Sequence, residues 1–166
     1  MAWADWASGI PWVIAVVGWA ATHVFSEARE RRKECRSQLD KVHELLAKIE
    51  QGGTAFHRAE KYDGGKSGEL LSQLHQLERT LYRIPVVDVD GLARDLVGLR
   101  RSITLKNFDP SEFVAQLQGS DIVAGISDAV FDMEDALELQ YRDRYPAQFP
   151  FFRLGKAKAS TQIGRD

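Results

Sequence analysis

Residues 6–36 read WASGIPWVIAVVGWAATHVFSEARERRKECR, and the architecture of the chain turns on what this stretch is. Between Trp6 and Ser26 there is no Asp, Glu, Lys or Arg. At about 1.5 Å of rise per residue a helix over this run extends about 30 Å, the thickness of a bilayer's hydrocarbon layer. A core helix would keep a polar stripe, whereas Ile10, Val13, Ile14, Val16, Val17, Ala20, Ala21, Val24 and Phe25 cover every face. Trp3, Trp6 and Trp12 gather at one end, where indoles favour a membrane interface. Pro11 falls in the first turns, where its missing N–H costs least. A cleaved export signal would open on basic residues, and residues 1–6 offer only Asp5, although Gly18 and Ala20 are small enough for a peptidase. The expectation is an uncleaved anchor over residues 1–26, marked by Trp6, Trp12, Val13, Val17, Gly18 and Thr22. A cleaved signal and a buried helix are the competing readings.

Orientation follows from the flank. Arg29, Arg31, Arg32, Lys33 and Arg36 lie just beyond the apolar run, and positive charge is retained on the cytoplasmic side. The expected placement is a single pass through the cell (inner) membrane, N-terminus out and C-terminal domain cytoplasmic. Gly18 and Thr22 form a small-xxx-small pair, extended by Ala15, that permits close approach of a second span.

No Gly or Pro interrupts the chain from Gly18 to Gly52, so the anchor should continue as one helix. Phe25, Ala28, Arg32, Cys35, Leu39, Val42, Leu46 and Ile49 recur at intervals of 3-4-3-4-3-4-3, a heptad seam. Arg32 weakens its near end, leaving Cys35, Leu39, Val42, Leu46 and Ile49 as the seam proper. It serves either a coiled coil with another copy or packing on this chain's own later helices. "QGG", ending at Gly53, reads as the stop of this stalk.

Further helical patterns follow. Leu70, Leu74, Leu77, Leu81 and Ile84 run at 4-3-4-3 spacing to Pro85, and Leu92, Leu96, Leu99 and Ile103 repeat it after Asp90, a candidate N-cap. "FDPSEF" carries a capping box and a Phe108–Phe113 staple, which predicts another helix start. Ser120 should cap a last helix with Ile122, Ile126, Val130, Met133, Leu137 and Tyr141 on one face. "IPVVDV", residues 84–89, is the one strand candidate. The fold class is therefore all-α: an N-terminal transmembrane helix, a helical stalk, and a cytosolic bundle of about four to five helices. The divisions are residues 1–26 anchor, 27–51 stalk, 52–67 linker, 68–145 bundle and 146–166 tail.

A net charge of −2 over 166 residues gives no global pull toward nucleic acid. Locally the charge is uneven. Residues 107–141 hold no Lys or Arg, and within them Asp128, Asp132 and Asp135 share a helix face that could dock a basic partner. In the tail, Phe149, Phe151 and Phe152 stand beside Arg153, Lys156 and Lys158. That composition suits either an aromatic strap on the bundle or a second membrane contact.

Chemical motifs are incomplete. "DGGKSG" at residues 63–68 lacks the first glycine of a phosphate loop, since Glu60 stands there, and Ser67 reads as a helix cap. "HELLA" at residues 43–47 lacks the second histidine of a zinc helix. Cys35 is the lone cysteine, so no thiolate zinc site and no intrachain disulfide can form. Arg36 and His43 are spaced at the outer limit of the pair used by HEPN-type helical ribonucleases, but one loose pair makes no family resemblance. No catalytic, cofactor or metal residue is expected, and no small-molecule substrate is identified. The expected partners are a lipid bilayer and either a protein or a second copy of the chain, with no nucleic acid. The leading expectation is a non-enzymatic, membrane-anchored adaptor or sensor module. The alternatives are a membrane-perturbing effector of a bacterial defence or toxin system, and a HEPN-like ribonuclease.

Overall fold

The structure, a computed structural model, describes residues 4–146, with side chains described for Trp12, residues 15–20 and residues 22–146. It is all-helical over these residues: α1 (Ala4–His57), α2 (Gly64–Leu81), α3 (Ala93–Thr104) and α4 (Asp121–Arg144). At about 1.5 Å per residue α1 is about 80 Å long, far longer than its three partners. Its second half is the spine of the bundle, with α2 and α4 both packed on it and α3 packed on α4.

The seam residues make that packing. Cys35, Leu39, Val42, Leu46 and Ile49 are all buried, and the last four join Phe56 in one core with Leu70, Leu74, Leu77 and Leu81 of α2 and Ile126, Val130, Met133 and Leu137 of α4. Leu92, Leu99 and Ile103 close the core from the α3 side. Each such side chain contributes about 1.5–3 kcal/mol on burial, which is why the 3-4 spacing organises the fold. The seam is consumed inside one chain and is not left open for a second copy.

Four local expectations are revised. First, α1 does not stop at Gly52–Gly53 but runs to His57. A Cβ at Gly52 would stand 3.2 Å from Leu70 Cδ2, and one at Gly53 3.5 Å from Ile126 Cδ1. The two glycines are where neighbouring helices come nearest to α1. Second, Asp63, not Ser67, caps α2: its carboxylate accepts from the N–H groups of Gly65 and Lys66, while Ser67 is buried inside the helix. Asp90 likewise lies in a turn ahead of α3, whose N-cap position is Leu92.

Third, "IPVVDV" forms turns and no strand. Gln140 of α4 pins it with its side-chain amide, accepting from the Asp88 N–H at 2.8 Å and donating to the Asp88 carbonyl at 3.0 Å. Fourth, "FDPSEF" closes a single turn. Asp109 accepts from the Ser111 N–H at 2.8 Å and from its hydroxyl, which pulls the Asp109 pKa below its ordinary value. A helix cannot propagate from there, because the Val114 N–H donates to Asn107 Oδ1 and the Gln116 N–H to the His57 carbonyl. Phe108 and Phe113 do meet, through Phe56, with ring centroids 5.2 and 5.3 Å from it.

Before Arg32 nothing among the described residues packs on α1. Trp12, Val16, Val17, Trp19, Val24 and Phe25 are all exposed, Trp19 by 70 % and Phe25 by 65 %. Among the described residues no helix is long and apolar enough to cross a membrane. The span expected over residues 1–26 therefore gains no support from the fold itself. In the described part of that stretch Gly18, Thr22 and His23 dilute the valines, and the side chains of Ile10, Val13, Ile14 and Ala21 lie outside the description.

The glycine contacts make a prediction. Gly53→Ala meets Ile126 at ordinary contact distance and removes a helix-interior glycine, so stability should hold or rise by up to about 1 kcal/mol. Gly53→Leu should instead lower it by about 1–3 kcal/mol through overpacking against Ile103 and Ile126. Chemical denaturation of the full chain in detergent checks both.

Candidate functional site

The polar groups of the bundle converge on the junction of α1 and α4, which run antiparallel. Arg36 donates through Nη1 to Glu138 Oε1 at 2.6 Å and through Nε to Asp40 Oδ1 at 3.0 Å, and its guanidinium lies 5.6 Å from the Tyr141 ring centroid. Burial opposes its charge, but Glu138 and Asp40 more than offset that and raise its pKa. His43 sits one heptad further on, with Nδ1 3.2 Å from Glu134 Oε1. Its Nε2 is enclosed and 3.5 Å from Glu138 Oε1, with no hydrogen bond of ordinary geometry. At the near end Arg32 lies 5.3 Å from the Tyr145 ring centroid. The Tyr145 hydroxyl donates to Cys35 Sγ at 3.5 Å, which raises the phenol's pKa. At the far end Ser127 donates to Glu50.

These contacts share one register. Glu50–Ser127, His43–Glu134 and Arg36–Tyr141 recur every seven residues on both helices. Arg36 and His43 are thus brought together around the carboxylate of Glu138. Chemically the arrangement is a closed ion-pair cluster. The guanidinium serves Asp40 and Glu138 and the imidazole lies between Glu134 and the same Glu138, so three carboxylates hold the two groups.

A second polar node joins α1 to the α3–α4 connection. His57 is fully buried; its Nε2–H donates to the Ile103 carbonyl at 2.9 Å and its Nδ1 accepts from Asn107 Nδ2 at 3.2 Å. A carbonyl can only accept, so these partners fix the neutral tautomer. Burial lowers the pKa of His57, partly countered by the Ile103 bond. Asn107 takes a left-handed backbone conformation (φ 57°), which asparagine tolerates better than most residues. Phe56, Tyr62, Phe108 and Phe113 pack around this node edge to face or tilted. Glu134, Glu138, His57 and Asn107 were not singled out by motif; the i, i+4 spacing of the two glutamates was a legible sign of that pair, and no local signal marked His57 or Asn107.

The remaining sequence-designated residues fall in three places. Arg29, Arg31 and Lys33 stay exposed on the arm, whereas Arg32 and Arg36 turn toward α4. Trp12, Val17, Gly18 and Thr22 are exposed on the arm, and Thr22 Oγ1 donates to the Gly18 carbonyl at 2.8 Å. The side chains of Trp6 and Val13 lie outside the described residues, as do Phe149, Phe151, Phe152, Arg153, Lys156 and Lys158. Asp128, Asp132 and Asp135 are exposed on the outer face of α4, with Phe131 and Leu139 exposed among them.

Among the described residues no group of three or more His, Cys, Asp or Glu is arranged to hold a metal ion. The surface hollows are open grooves without converging chemistry. One of about 560 Å³ lies along α1 and α4 beside Glu50 and Ser127. Another of about 220 Å³ lies between Arg101 and Asp121. The chain matches no protein-family model, no curated protein and no solved structure.

Two outcomes follow. Glu138→Ala removes the carboxylate shared by Arg36 and His43 and should cost about 1–2 kcal/mol, discounted for partial exposure, while Asp132→Ala on the outer face should change stability by less than about 0.5 kcal/mol. Equal effects in denaturant titrations would remove the cluster's structural role. For His57, the unfolded chain takes up a proton near the ordinary pKa of about 6.5 and the folded chain only below it. Stability should therefore fall as pH drops from 7.5 through that value, and His57→Gln should flatten the slope. Denaturation midpoints at pH 7.5 and 5.5 measure it.

Proposed function

We propose that the chain is an anchored helical interaction module, in which the first half of α1 is held in a lipid bilayer and the bundle presents a protein-binding surface at its cytoplasmic face. The supporting observation is the arm. Six large apolar side chains, Trp12, Val16, Val17, Trp19, Val24 and Phe25, are exposed with nothing of the described chain over them. Leaving them in water forfeits on the order of 10 kcal/mol, comparable to the whole stability of a domain. An arm of this kind therefore needs a cover. Within the described residues it falls short of a span, but the sequence adds Ile10, Val13, Ile14 and Ala21 to the same charge-free run. Arg29, Arg31 and Lys33, exposed where the run ends, suit an anionic headgroup layer. A bilayer accounts for both the apolar length and the basic border, whereas pairing of arms between copies accounts only for the first. The protein-binding role is the usual purpose of such a tether, and the absence of a presented nucleophile, acid or base in the Arg36–His43 cluster favours it over RNA cleavage.

The test is fractionation of the full chain carrying C-terminal reporters. It should sediment with membranes, resist alkaline extraction, report a cytoplasmic C-terminus, and be released when residues 1–26 are deleted. Release of the intact chain at alkaline pH, or its recovery in the soluble fraction, would overturn the anchor. Recovery from mild detergent as a lone monomer at native expression would overturn the interaction role.

A further inference from the structure

α3 and α4 lie side by side as one two-helix layer, and each turns a stripe of opposite charge outward. At about 3.6 residues per turn, Arg94, Arg101 and Leu105 stand opposite the core-facing Leu99 and Ile103. Asp128, Asp135 and Leu139 stand in the same way opposite Ile126 and Leu137, and all of these outward side chains are exposed. Among the described residues Arg94 has only its chain neighbour Asp95, at 3.7 Å, and Arg101, Asp128 and Asp135 have no ion pair. The remaining ion pairs of the two helices use Arg100, Glu134 and Glu138. The heights match as well. Ile103 and Ile126 both approach Gly53, at 3.7 and 3.5 Å from a Cβ placed there, while Gly91 at the other end meets Gln140. The helices are therefore antiparallel. Counting back from Ile103 puts Arg101 level with Asp128, Arg94 level with Asp135, and Val97 within one residue of the level of Phe131.

We propose that this layer is the contact surface for a second copy of the chain, stacked about a two-fold axis parallel to the helices. That axis lays α3 of each copy on α4 of the other at unchanged height. Arg94 then meets Asp135 of the second copy and Arg101 meets Asp128, and the symmetry repeats both pairs. Val97 and Phe131 sit on the flanks of the layer, next to Arg100, which reaches α2, and Glu134, which reaches α1. The same rotation therefore brings Val97 against Phe131 of the other copy and covers two side chains exposed by 52 % and 60 %. Charge selects this axis. A two-fold axis across the helices would lay α3 on α3 and α4 on α4, setting arginine against arginine and aspartate against aspartate. The parallel axis also leaves both arms at one end, as a single bilayer requires. The inference names the partner of the interaction role proposed above and rests on that reading, but it does not need the arm to lie in a membrane.

The test is disulfide cross-linking between two differently tagged full-length copies, one Val97→Cys and one Phe131→Cys. They are co-expressed and oxidised in whole lysate without detergent, so that membrane and soluble fractions are both present; the native Cys35 is buried and does not compete. The expected result is a disulfide joining the two tags. Self-links of either variant expressed alone should be about tenfold rarer, because like positions lie on opposite edges of the layer and beyond disulfide reach. Adding Arg94→Asp/Arg101→Asp to both copies should lower the mixed disulfide about tenfold. Placing that pair on the Val97→Cys copy and Asp128→Arg/Asp135→Arg on the Phe131→Cys copy should restore it, since every α3–α4 contact is then oppositely charged again. Restoration also shows that the variants fold. Absence of the mixed disulfide, self-links of equal abundance, indifference to charge reversal, or a loss that the exchange does not restore would each overturn the proposal. In that event an amine cross-linker that still traps the unsubstituted chain in a larger species would leave the interaction role standing on another surface, whereas a lone monomer would overturn both.

Discussion

The rest of the structure depends on the antiparallel contact between the second half of α1 and α4. Two helices in heptad register present one apolar line and one flanking polar line to each other, and both lines are used here. Leu39, Val42, Leu46 and Ile49 bury the apolar line against α2 and α4. Arg36, His43 and Glu50 find Tyr141, Glu134 and Ser127 on the flank, each a heptad from the next. Apolar burial supplies most of the energy but tolerates a slip along the helix. The ion pairs contribute less and fix the register, since a shift of one turn would separate Arg36 from Glu138 and leave the Glu138 carboxylate without its guanidinium.

Once α1 and α4 are aligned, the loops follow. α4 carries Gln140 to the Asp88 backbone, which holds the connection between α2 and α3 without a strand partner. α1 carries His57 to Ile103 and Asn107, which holds the connection between α3 and α4. Both devices use one side chain to satisfy backbone or side-chain groups that would otherwise lose partners on burial. The close approach of α2 and α4 to α1 at Gly52 and Gly53 belongs to the same alignment. A glycine pair in the middle of a helix is poor for the isolated helix and good for a helix with neighbours on two sides.

The bundle and the arm are different kinds of object on one continuous helix. The bundle is closed along the α1–α4 junction, where Arg36 is paired with Glu138 and Asp40 and His43 and His57 are hydrogen-bonded. The arm is open, with its apolar groups uncovered and no element of the described chain opposite. The boundary falls near Arg32 and Cys35, where the first contacts with Tyr145 begin. The helix crosses this boundary without a break, so arm and core share one axis.

The sequence by itself determined the all-helical class, the seam from Cys35 to Ile49, and the last helix with its Ser120 cap. These depend on spacing and local capping, which are properties of neighbouring residues. Four things only the tertiary structure decided. Gly52 and Gly53 stay helical because Leu70 and Ile126 press on them. "FDPSEF" stops after one turn because Asn107 and His57 take the N–H groups that a helix would have needed. "IPVVDV" pairs with a side chain instead of a strand. The seam turns inward rather than toward another copy, because α2 and α4 of the same chain present leucines and isoleucines at matching intervals. In each case a partner distant in sequence competes with a local preference worth about 1 kcal/mol, and several buried contacts together outweigh it.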